Sequence, residues 1–125
     1  MTPFGEKLRA HRERKGLSQA ELAKAVGVSA AYLSALEHGY RGRPGFDLVQ
    51  RIIGTLGIIW DEAEELVALA RLSHPKVTID TAGLHPKATE AANLLAKEIR
   101  FLPEKDLDAL LRLLEKARKS GSDSR

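Results

Sequence analysis

The 125-residue chain is 43% hydrophobic and 30% charged, carries a formal net charge of +3 and contains no cysteine. Disulfides, cysteine-held iron–sulfur clusters and thiol redox sensing are thereby excluded, and no stretch approaches the roughly 18 apolar residues that a membrane span needs. The first residues lack the hydrophobic run of a signal peptide, so the expectation is a cytoplasmic protein, with the basic balance compatible with nucleic acid.

Phe4, Leu8 and Ala10 supply an apolar stripe for a first helix, closed at Lys15-Gly16-Leu17. Ser18 then precedes Gln19 with Glu21 three residues on, the spacing of a capping box, and Leu22, Ala23 and Val26 give a second helix one apolar face. Gly27 stops it, because a residue without Cβ enters the left-handed region cheaply and lets the chain turn within about three residues. Ser29 caps a third helix on which Leu33 and Leu36 point inward, leaving Ala30, Ala31, Ser34 and Ala35 on other faces and Tyr32 near the front edge. Gly39 ends that helix.

Phe46, Leu48, Val49, Ile52, Ile53 and Leu56 fit a fourth helix stopped by Gly57, and Ile58, Ile59 and Trp60 read as core or inter-domain packing. Asp61, Glu62, Glu64 and Glu65 open a fifth helix running towards Leu72, where acidic side chains suit the positive helix end. A connector over residues 73–87 follows, broken by two His-Pro pairs. Its Val77-Thr78-Ile79 alternation suits packing on the first domain or a short strand paired across a dimer.

Residues 88–119 then carry two amphipathic helices. Ala91, Ala92, Leu94, Leu95, Ile99 and Leu102 make one apolar surface, Pro103 takes a helical N1 position, and Leu107, Leu110, Leu111 and Leu114 recur at three- and four-residue steps with Leu113 widening the face. Two helices cannot bury that much surface between themselves, so it is buried either against the first domain or against a second copy, and the favoured reading is a homodimer through Leu95, Ile99, Leu107, Leu110, Leu111 and Leu114. Residues 120–125 are a polar tail expected to fray.

The Phe4-Gly5-Glu6-Lys7-Leu8-Arg9 start, the Leu17 to Ala23 run LSQAELA, the Gly27-Val28-Ser29 turn and the Leu33 to Gly39 exit LSALEHG together resemble the XRE family, the Cro and phage-repressor type of helix-turn-helix regulators. The resemblance covers about residues 4 to 70. It implies a five-helix, lambda-repressor-like DNA-binding domain over residues 1–72; with the amphipathic helices of residues 88–119 read as a C-terminal helical hairpin used for dimerisation, the expected chain is all-α. It also implies that the third helix enters the major groove with its first residues at base edges. Ser29, Ala30, Ala31, Tyr32, Ser34 and Ala35 are then the major-groove set, and Arg12, Gln19, His38 and Tyr40 the phosphate set. Where phage repressors often present glutamines, this helix presents Ala30, Ala31 and Ala35, which offer only apolar contact to thymine methyl groups.

Arg41-Gly42-Arg43-Pro44 follows the reading helix and looks like the core of an AT-hook, whose arginines enter a narrow, AT-rich minor groove. The charge agrees: residues 1–45 hold eight Lys or Arg against four Asp or Glu, and residues 46–125 hold twelve against thirteen. Arg9, Arg14, Lys15 and Lys24 add to the basic face, so affinity for DNA should fall with salt.

His11, His38, His74 and His85 lack metal-ligand spacing, and no nucleophile–base constellation is evident, so neither a metal, a cofactor nor an enzyme is expected. The reading is a double-stranded-DNA-binding transcription regulator acting as a repressor. Two others stay open: an antitoxin-like or polymerase-recruiting factor that binds a protein through the C-terminal helices, and a nucleoid-associated binder of AT-rich DNA.

Overall fold

Thr2, Ser18 and Ser29 open the first three helices in the same way, each side-chain oxygen accepting a backbone N–H three residues on, at Gly5, Glu21 and Tyr32, in bonds of 3.0 Å. The computed structural model describes residues 1–41 and 44–123. They divide into two units, Met1–Thr78 and Ile79–Arg125. The first unit carries α1 (Pro3–Arg14), α2 (Gln19–Val26), α3 (Ala30–His38), α4 (Phe46–Leu56) and α5 (Trp60–Arg71). The second carries α6 (Pro86–Glu98), a 3-10 turn (Ile99–Phe101) and α7 (Glu104–Asp123). No strand occurs among the described residues, and Val77 and Ile79 are exposed.

The apolar positions expected of α2 and α3 do meet in one core. Phe4, Leu8, Leu22, Leu33, Ile52 and Leu66 are fully buried there, with Leu36 and Val26 beside them. Removing each such side chain from water contributes about 1.5–3 kcal/mol. Helix α1 lies on α3 and α5, and α2 on α3 and α4. Gly5 allows the first of these contacts, since a Cβ there would stand 2.5 Å from the carbonyl oxygen of Glu37.

Several local expectations need correction. Ala10 is exposed, and the inward register of α1 is completed by His11 and Arg12, because Phe4, Leu8 and His11 share a helix face on which Ala10 does not lie. Ile58 joins the core, but Ile59 and Trp60 are 64% and 81% exposed, and Phe46 at the first position of α4 is exposed as well. Ser73, placed in the connector, belongs to the first unit: its buried hydroxyl accepts from the Phe4 N–H at 2.9 Å and donates to the Leu69 carbonyl at 2.6 Å. Pro86 begins α6 after His85, whose Nδ1 accepts from the Lys87 N–H, and α7 runs to Asp123, past Ser120 where fraying was expected.

No described residue of the second unit is buried. Leu95, Leu102, Leu107 and Leu110 are half-buried, while Leu94, Ile99, Leu111, Leu113 and Leu114 are exposed. The apolar faces of α6 and α7 are therefore not covered within that unit.

Candidate nucleic-acid interface

The turn between α2 and α3 is built from local chemistry. Ser18 and Glu21 form the complete capping box, with the Ser18 N–H donating to the Glu21 carboxylate at 2.9 Å. Hydrogen bonds from Ser18 hold the Glu21 carboxyl below its ordinary range. Gly27 takes φ +80°, the left-handed conformation that closes α2, and Ser29 caps α3 two residues later. Leu33, Leu36 and Glu37 turn inward, and Ser29, Ala30 and Ala31 stand exposed. Tyr32, Ser34 and Ala35 are half-buried on the flanks. The major-groove set thus shares one end and outer side of a single helix whose back is fixed in the core.

Glu37 is the side chain that sequence reasoning missed. Only 1% exposed, it receives the Arg12 guanidinium through Nε at 2.7 Å and Nη2 at 3.1 Å, and Arg12 Nη1 donates to the Leu17 carbonyl at 2.8 Å. The carboxylate in turn keeps that guanidinium firmly charged. Arg12 was expected at a phosphate; the structure turns it inward, 9% exposed, as a clamp between α1, α3 and the chain entering α2. The signal was available: Glu37 falls in the inward register of Leu33 and Leu36, and a buried carboxylate demands a buried base. Glu37 also accepts from Gln19 Nε2 at 3.0 Å. That bond fixes the half-buried amide at the N-terminus of α2, with its second N–H still able to donate.

Beyond α3 the chain folds back on the helix. The Tyr40 and Arg41 N–H groups donate to the Ala35 carbonyl at 2.9 and 3.4 Å. His38 Nδ1 lies 2.7 Å from the Ser34 carbonyl, and its exposed ring stacks on that of Tyr40, centroids 6.1 Å apart. The Arg41 guanidinium carbon sits 5.9 Å from the Tyr32 ring centroid. Of the RGRP segment, Gly42 and Arg43 lie outside the described residues, and Pro44 is buried ahead of α4. Two basic residues expected to support phosphate contact are paired within the chain: Arg9 with Glu13 at 2.9 Å and Arg14 with Glu62 at 3.6 Å. Among the described residues no three His, Asp or Glu side chains are grouped to hold a metal, and no helix is long and apolar enough to cross a membrane.

Residues 3–72, more than half of the chain and all of the five-helix unit's helices, match the model of a helix-turn-helix domain. The chain belongs to the helix-turn-helix domain family. This helix-turn-helix protein is 41% identical over 61 residues to the HTH-type transcriptional repressor RghR of Bacillus subtilis (strain 168), a match covering 49% of the chain and 45% of that protein. It is 30% identical over 55 residues to the HTH-type transcriptional regulator SinR of the same organism, covering 44% and 50%. The chain spans about half the length of these curated relatives. A solved SinR protein/SinI protein complex aligns with a TM-score of 0.45 at 21% identity, covering 94% of this chain and 98% of that one. The relatives of this helix-turn-helix protein are transcriptional regulators, a class that acts by binding and not by catalysis.

Proposed function

We propose that the protein is a sequence-specific, double-stranded-DNA-binding transcription regulator that works as a repressor. The observation that carries this reading is the capped α2–Gly27–α3 unit, which exposes Ser29, Ala30 and Ala31 on the first turn of a helix anchored from behind by Glu37. In this reading α3 lies in the major groove, with Ala30, Ala31 and Ala35 against thymine methyl groups and Ser29, Tyr32 and Ser34 at the margins. Gln19, His38 and Tyr40 meet phosphates, and Arg12 contributes indirectly, by holding the carboxylate that orients Gln19.

An alanine-faced helix discriminates bases weakly, so part of the specificity comes from DNA shape. The Arg41-Gly42-Arg43-Pro44 segment is the proposed source, with Arg43 the arginine assigned to an adjacent AT-rich minor groove. The expectation is that Arg43→Ala weakens binding to an AT-rich duplex more than to a matched duplex with a wider groove, in a fluorescence-anisotropy titration. Equal losses on both would refute shape readout.

The uncovered leucines of α6 and α7 favour association through the second unit, and a second copy of the chain is the proposed occupant. Two copies would present two α3 helices to a two-fold operator. A different protein on the same face is the second reading, and monomeric protein whose α6 and α7 gain order only with that partner would favour it. The test of the whole proposal is Ala31→Glu, which places a carboxylate against the groove floor. Loss of duplex binding with an unchanged melting curve is expected, and unchanged affinity would remove α3 from the groove.

A further inference from the structure

Tyr32 stands on the first turn of α3 but off its outward strip: its ring is half-buried against the core, on the flank away from Ser34. Arg41 reaches back to that ring from beyond the C-terminal end of the helix, its guanidinium carbon 5.9 Å from the centroid. Two features hold it there. The Arg41 backbone donates to the Ala35 carbonyl, and the preceding residue, Tyr40, is itself fixed by the same carbonyl and by stacking on His38. A guanidinium over an aromatic face is attracted by the ring quadrupole, and its edge N–H groups stay free for a second ligand. An AT-hook arm works differently, being extended and unattached until it enters the minor groove.

Resting on the reading that α3 occupies the major groove, we propose that Tyr32 is a positioning platform for Arg41 and that the pair clamps the phosphate strand bordering that groove. The flank position decides between the ligands. A side chain standing on the outward strip meets base edges, whereas one beside it meets the sugar–phosphate rim, where the planar donor edge of arginine matches the phosphate oxygens. The clamp fixes register and carries no sequence information. It therefore complements a helix face of Ala30, Ala31 and Ala35, which has no hydrogen-bonding groups of its own to fix where it sits.

The test titrates the full chain on two short duplexes, one AT-rich and one GC-rich, across a series of salt concentrations. Arg41→Ala should weaken both by the same factor, about fivefold, and reduce the salt slope by about one. Tyr32→Phe keeps the aromatic face and should lose much less than Tyr32→Leu. Tyr32→Leu should reproduce about half of the Arg41→Ala loss on a logarithmic scale, and adding Arg41→Ala to it should cost less than Arg41→Ala alone. Strictly additive losses, or Tyr32→Phe as damaging as Tyr32→Leu, would overturn the platform. A loss confined to the AT-rich duplex would return Arg41 to the minor groove. Should Tyr32→Leu unfold, exposed Arg41→Gln carries the test alone, since a phosphate clamp requires its loss to be uniform across the two duplexes. Wild-type protein that bound neither duplex would overturn the DNA reading itself, a result distinct from normal wild-type binding with an unaffected Arg41→Ala.

Discussion

Two buried ionisable side chains, Glu37 and His11, set the expectations at the scale of single residues. Glu37→Ala leaves the buried Arg12 without its carboxylate and should cost about 3–5 kcal/mol in a urea titration. A loss under about 1 kcal/mol would show that the pair does not hold α1 to α3. His11 is 6% exposed, and its Nε2 has no hydrogen-bond partner among the described residues. Burial lowers its pKa, and Glu62, 3.8 Å from Nδ1, only partly opposes that shift. The folded state therefore favours neutral imidazole. On acidification the unfolded chain takes up the proton first, so stability declines as pH falls through about 6.5 and keeps declining until the folded pKa is passed. Melting temperatures measured from neutral to mildly acidic pH should fall less in His11→Phe than in wild type; parallel curves would exclude His11 as the source. The inward register of Glu37 was legible from Leu33 and Leu36, but its partner and the burial of His11 were not. Hydrophobic periodicity reports which way a helix faces but cannot say that an arginine on one helix answers a glutamate 25 positions later.

Caps and turns, by contrast, were readable at the scale of helices, because they depend on residues three or four apart. The Ser18–Glu21 box, the left-handed Gly27 and the Ser29 cap all stand where their spacing put them. Ser29→Ala should destabilise the fold by about 1 kcal/mol in chemical denaturation. Since Ser29 also opens the exposed end of α3, a duplex-binding loss larger than that destabilisation explains would mark direct contact. What the pattern could not supply was the environment of apolar residues at helix starts. Ile59 and Trp60 look like core by type, yet the chain enters α5 with Trp60 at φ +55° and both side chains outside. Ala10 failed for a related reason, since a small apolar residue fits a surface position as well as an inward one. The Arg41–Tyr32 contact depends on the chain doubling back after Gly39, which no helical period encodes.

For the whole molecule, the two units differ in how far they bury their apolar residues. One has a continuous core spanning α1 to α5, and the other leaves every described leucine at least partly in water. That imbalance was foreseeable from the leucine spacing of residues 94–114, since an amphipathic pair lacks the area to cover itself. Leu111→Asp sets a charge into the proposed contact between copies. Sedimentation should show dimer converted to monomer with the first unit still folded, and an unchanged dimer would mean that a different surface associates. In the proposed two-fold assembly, an α3 that reads bases weakly would gain discrimination, because two half-sites must then be matched together at a fixed spacing. This requirement separates a regulator from a protein that coats AT-rich DNA. The most direct measurement is genome-wide occupancy of the native protein at physiological salt. The expected result is a limited set of two-fold sites near promoters, with AT-rich segments adjoining each half-site. Broad AT-rich occupancy without a shared motif would contradict it.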